Sequence, residues 1–214
     1  MTSFENALWM ARSMIGHWGR SLSGDLNGRA PDREELLWKA AGNGRLEEDP
    51  TFKMNALMFA AAEGFFLTLE ELLKSGASVS ASDKNGYSSL HFAAISNYED
   101  TEKIIGKLVE FGADVESLTN KKITPLYLAV LKNQIRSIQT LIKLGADVNF
   151  CLTARGDRFT PLHMAAQKGH LSAIKLLVEN GADVHLKDRN GCTALSLAEK
   201  ENHEEIVEYL GSVM

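Results

Sequence analysis

The chain repeats itself. Five segments align beneath one another: NALMFAAAEG from Asn55, SSLHFAAISN from Ser88, TPLYLAVLKN from Thr124, TPLHMAAQKG from Thr160 and TALSLAEKEN from Thr193, with starts separated by 33, 36, 36 and 33 residues. A second motif keeps the same phase, as SGASV ending at Val79, FGADV at Val115, LGADV at Val148 and NGADV at Val184. A period of this length means that one small supersecondary unit recurs. Such a unit cannot bury its apolar face alone, so its neighbours must stack on it to make a core.

Each unit can be read from its residues. Asn55, Ser88, Thr124, Thr160 and Thr193 are N-cap types, whose side-chain oxygens accept the orphan N–H groups of a first helical turn. Pro125 and Pro161 follow at the first helical position, where a missing N–H costs nothing. Next come a leucine and a pair of small residues, as in Leu162, Ala165 and Ala166, which leave a narrow face for a neighbouring helix. A short break at Gly64, Asn97, Asn133, Gly169 or Asn202 precedes a second helix with an aliphatic stripe, such as Ile174, Leu177 and Val178. That helix stops at Gly76, Gly112, Gly145 or Gly181, where a left-handed residue is needed. The turn signals Asp83-Lys84-Asn85-Gly86 and Asp188-Arg189-Asn190-Gly191 follow, so the unit is cap, helix, turn, helix, glycine stop and projecting finger.

The pattern resembles the ankyrin repeat family, whose signature is TPLHxAA at the first helix and GADV after the second. The fourth unit matches it almost in full from Thr160 to Asp188, and the resemblance spans residues 55–214. It implies an all-α fold: a solenoid of about five repeats, beginning near 55, 88, 124, 160 and 193, with fingers projecting to one side. Residues 32–54 read as a partial N-terminal capping repeat. Pro31 and the capping-box pair Asp32 and Glu35 open a helix in which Leu37, Ala40, Ala41 and Gly44 keep phase. At the other end Glu199, Lys200, Glu201, Glu204, Glu205 and Glu208 give the last unit a polar outer face, which suits a monomer.

The 36-residue periods come from two insertions of three residues each. One lies around Asn97 to Glu102, between the helices of the second unit. The other lengthens the third finger across Asn149 to Arg158, either as a partner-specific element or as slack that exposed loops tolerate.

Residues 1–31 stand apart as an amphipathic segment and linker. Phe4, Leu8, Ala11, Ile15 and Trp18 form a helical stripe, and Gly24 and Gly28 loosen the stretch that follows. The helix could cover the open edge of the first repeat, lie on a membrane or target an organelle, or bind a partner.

Composition narrows the function classes. Lys and Arg total 23 against 28 Asp and Glu, a net charge of -5, so no excess positive charge exists to displace counterions from nucleic acid. Cys151 and Cys192 are the two cysteines, far apart, which disfavours a disulfide framework or zinc site and suits a reducing, cytoplasmic setting. No nucleophile elbow, P-loop or dinucleotide motif occurs, and the histidines have no metal-ligand spacing, so neither an enzyme nor a cofactor is expected. His91 and His163 occupy the signature histidine position and are expected to tie adjacent loops together through hydrogen bonds.

The function expected is therefore a non-enzymatic interaction module, serving as scaffold, adaptor or inhibitor. An alternative is a membrane-associated adaptor or translocated bacterial effector anchored through residues 1–20. In the family, the residue before each cap lies toward the concave face where partners dock. Here that position holds Tyr87, Ile123, Phe159 and Cys192, which would form a ridge across stacked units, or else pack each against its own finger. Ser96, Lys132 and Lys168 end the first helices, while Lys121, Arg155, Arg158 and Arg189 lie on fingers. These residues form the expected partner-binding set, and its basic members suggest an acidic protein partner.

Overall fold

A computed structural model describes residues 55–151 and 158–214. The capping repeat expected over 32–54, the amphipathic segment within 1–31 and Arg155 lie outside the described residues.

Five helix pairs follow one another along the chain. The first helices are α1 (Ala56–Glu63), α3 (Ser89–Ile95), α5 (Pro125–Leu131), α7 (Pro161–Lys168) and α9 (Ala194–Lys200). Their partners are α2 (Phe66–Lys74), α4 (Thr101–Glu110), α6 (Ile135–Lys143), α8 (Leu171–Glu179) and α10 (Glu204–Val213). Among the described residues the β features are an isolated bridge between Ser82 and Ser88 at the base of the first finger and a bridge residue at Phe159. None of the described helices is long and apolar enough to cross a membrane.

The caps form where the residue types place them. Asn55 Oδ1 accepts the Met58 N–H at 2.9 Å, and the Thr124, Thr160 and Thr193 hydroxyls accept from Tyr127, His163 and Ser196 at 3.2, 3.3 and 3.3 Å. Pro125 and Pro161 open their helices. The four stop glycines, Gly76, Gly112, Gly145 and Gly181, have φ of 88, 92, 95 and 89°, conformations that side chains with a Cβ resist.

Helices of this length do not stand alone in water, and packing must hold them. The first helices stack in one row, α1 on α3, then α5, α7 and α9. The second helices stack in another, α2 on α4, then α6, α8 and α10. Between the rows lie Leu57, Leu90, Leu126 and Leu162 with the small residues Ala60, Ala93, Ala129 and Ala165, all buried. Ile105, Leu108, Ile138, Leu141, Ile174, Leu177, Ile206 and Leu210 close the core from the second row.

One break departs from the pattern. Gly64, Asn133, Gly169 and Asn202 each take the left-handed conformation after their first helix, with φ of 77, 55, 77 and 60°. Asn97 does not. The second unit leaves α3 through Ser96 in an extended conformation (φ -64°, ψ 145°) and crosses to α4 by residues 96–100. The three inserted residues lie in this connection. They make a one-residue left-handed reversal unnecessary, since a longer loop can turn with ordinary dihedrals.

Candidate functional site

The fingers are joined to the helix stack by two buried histidines. His91 is 0% exposed. Its Nδ1 receives the Ser88 N–H at 3.1 Å, which makes Nδ1 an acceptor, and its Nε2 therefore donates to the Ile123 carbonyl at 3.0 Å in the next finger. His163 repeats the arrangement: Nδ1 accepts from the Thr160 N–H at 3.2 Å, and Nε2 is shared between the Leu186 and Cys192 carbonyls at 3.1 Å each. Burial pushes the His91 imidazole down to about 4, against the pull of the Ile123 carbonyl, and lowers His163 for the same reason. Both are neutral linkers between adjacent units. Their nitrogens are fully used, which leaves none to act as base or ligand.

Tyr87, Ile123, Phe159 and Cys192 occupy one register on successive units, and each is half-buried. Tyr87 stands edge-on to His91, with ring centroids 5.8 Å apart, and touches Phe92 at 5.9 Å. Burial first, and then the Asp83 charge, raise its phenol. Phe159 leans on His163 at 5.3 Å. Ile123 and Cys192 supply the carbonyls that take the histidine protons. The four residues thus pack partly on the molecule's own joints and keep part of each side chain in solvent.

The finger turns are built by aspartates. Asp83 Oδ1 accepts the Asn85 and Tyr87 N–H groups at 2.8 and 2.7 Å, and Asp188 Oδ1 accepts those of Asn190 and Cys192 at 2.8 and 2.9 Å. For Asp188, burial works to raise the carboxyl, but these N–H groups and the Asn190 amide outweigh it and hold it below the usual carboxylate range. Neighbouring tips touch, since Asn120 donates its N–H to the Asn85 carbonyl at 2.9 Å and its amide to the Lys84 carbonyl at 3.0 Å.

Lys121 and Arg158 are exposed at left-handed or turn positions, Arg189 is exposed on the fourth finger, and Lys132 and Lys168 are exposed at helix ends. Ser96 is different: it is 6% exposed, and its hydroxyl accepts from the Thr101 hydroxyl at 3.3 Å. The extended exit from α3 turns this side chain inward, toward Thr101.

Side-chain clasps between fingers were not anticipated. Glu116 Oε1 accepts the Asp147 N–H at 2.8 Å. Asn149 accepts the Asp183 N–H at 2.8 Å and donates to the Gly181 carbonyl at 3.0 Å. The signal was present in the recurring GADV phase, which brings these backbone groups of successive units side by side.

A family model for ankyrin repeats matches the chain in three copies, over residues 24–107, 57–150 and 126–212. The chain belongs to the ankyrin repeat family. Ankyrin repeats are generally protein–protein interaction modules, and the family is typically non-enzymatic. In this ankyrin protein no group of three or more His, Cys, Asp or Glu among the described residues is placed to hold a metal ion. Cys151 and Cys192 are free thiols, both half-buried.

Proposed function

We propose that this ankyrin protein is a cytoplasmic scaffold, adaptor or inhibitor that grips an acidic protein partner along its fingers and the concave face of its first helices. The observation that carries the reading is the row of half-buried Tyr87, Ile123, Phe159 and Cys192, one per unit, with exposed Lys121, Arg158 and Arg189 on the fingers and exposed Lys132 and Lys168 at the far ends of the first helices. Aromatic groups already held by packing lose little freedom on binding, and a surrounding basic rim steers an acidic partner. Ser96 drops out of the set because it is buried, and Arg155 is retained on its place in the third finger alone.

Affinity purification with the full chain tests the proposal, comparing wild type with Tyr87→Ala/Phe159→Ala and with Lys121→Glu/Lys168→Glu. Loss of two aromatic anchors is expected to weaken capture of the partner by about 30-fold or more. Charge reversal should slow association and flatten its salt dependence while leaving helicity and melting temperature unchanged. Equal recovery of the partner by all three chains would remove the finger surface from the mechanism.

A further inference from the structure

The inserted connection of the second unit does more than lengthen the chain. With the start of α6 it encloses a cleft of about 470 Å³, of the size that holds small ligands or a short peptide stretch. From the second unit, Ser96, Asn97, Tyr98, Glu99 and Thr101 line it, and from the third, residues 133–137.

Three features of the lining bear on what it accepts. The Ser137 side chain is 1% exposed, and its hydroxyl has no hydrogen-bond partner. The place that it occupies is filled by buried Thr68 in the first unit and by Ile104, Ala173 and Ile206 in the second, fourth and fifth, so a mostly apolar position holds at Ser137 an unanswered hydroxyl. Asn97, Asn133 and Gln134 also carry carboxamides with no side-chain hydrogen bond among the described residues. Each can donate and accept at once. Finally, the charged lining residues are Glu99 and Arg136, one of each sign, and Arg136 lies 4.0 Å from Glu102 just outside. The cleft is therefore rich in hydrogen-bonding groups and selects neither anions nor cations.

We infer that this cleft binds an uncharged, extended main-chain segment of a protein partner, whose amides and carbonyls exchange hydrogen bonds with Asn97, Gln134 and the Ser137 hydroxyl. A peptide backbone alternates donors and acceptors, which carboxamides answer in pairs, and it brings no charge to be desolvated. The inference rests on the reading of this chain as a protein-binding module, but it concerns the turn between helices rather than the fingers.

The probe is acetyl-trialanine N-methylamide, titrated into isotope-labelled full chain and followed by amide chemical shifts, with acetate and methylammonium as ionic comparators. The expected result is saturable shifts confined to residues 96–101 and 133–137 with the peptide and weaker or none with the ions. Affinity should fall at least tenfold in Asn97→Ala/Gln134→Ala. Ser137→Ala should weaken binding while leaving the melting temperature equal or higher, because it removes an unsatisfied buried group. The inference is overturned if the peptide shifts nothing in the cleft, if either ion binds there as tightly, or if the variants bind like wild type. Since the probe is neutral and no finger residue is altered, its failure leaves the finger surface standing, and failure of the finger variants leaves the cleft standing.

Discussion

At the residue scale, the two buried histidines and the left-handed glycines make the sharpest predictions. An unfolded histidine takes up its proton near pH 6.5, whereas folded His91 does so only at about 4. The unfolded chain therefore binds more protons across that window. Stability is complete above about pH 6.5 and falls as the pH drops toward 4, by about 3 kcal/mol from His91 alone. His163, also lowered, adds to the loss with the same sign. Urea unfolding from pH 7.5 to 4 should show the decline, and a His91 ring resonance that titrates near 6.5 in the folded protein would contradict it. The glycines divide by surroundings. A Cβ on Gly145 would meet open space, so Gly145→Ala should cost on the order of 1 kcal/mol from backbone strain alone. At Gly169 the same Cβ would lie 2.8 Å from the His203 ring, so Gly169→Ala should cost about 1–3 kcal/mol more. Thermal melts of the two variants measure the difference.

At the element scale, the first helices depend on their caps because each has only seven or eight residues. Thr160→Ala removes the group that accepts the His163 N–H and bonds its ring at 2.7 Å, and should cost about 1–2 kcal/mol by denaturant unfolding. Thr160→Ser should recover most of that loss. These elements were legible in the sequence because caps, small-residue pairs and stop glycines recur in phase, and each has one cheap structural use. The second unit was legible only in part. Spacing located three surplus residues near Asn97, but length alone does not say which path a loop takes. The extended exit at Ser96 buried a side chain expected on the surface, and it was this exit that opened the cleft against α6. Ser137 gave no warning, since a serine on an amphipathic helix reads as surface until the neighbouring helix is in place. The ridge residues were legible as a register, while their contacts with His91 and His163 required the stacked units.

At the scale of the whole molecule, the main contacts among the described helices run within units and between successive ones, so stability is shared as in a one-dimensional array. A substitution in a middle unit loosens two interfaces. Leu141→Ala, at a site 0% exposed, should cost about 2–5 kcal/mol. Among the described residues the unit of α9 and α10 packs on one neighbour, and it exposes Glu204, Glu205 and Glu208 on α10. Amide hydrogen exchange should therefore be slowest in α5 to α7 and fastest in α10, and equal protection along the stack would show a more cooperative molecule than this one. The ion pairs Lys107–Glu70 at 3.6 Å and Arg136–Glu102 at 4.0 Å join neighbouring second helices, but they are solvent-accessible and add little.

The bond from His91 to the Ile123 carbonyl also imposes an order on the birth of the protein. As the chain leaves the ribosome, the imidazole of the second unit emerges 32 residues ahead of the carbonyl that will take its proton. Until that carbonyl arrives, water must answer the donor, and each later unit settles its predecessor rather than itself. A nascent chain whose emerged part ends just before Ile123 should thus show a second repeat whose histidine is still in water and takes a proton in the ordinary imidazole range, and once the next unit has emerged the same histidine should become silent.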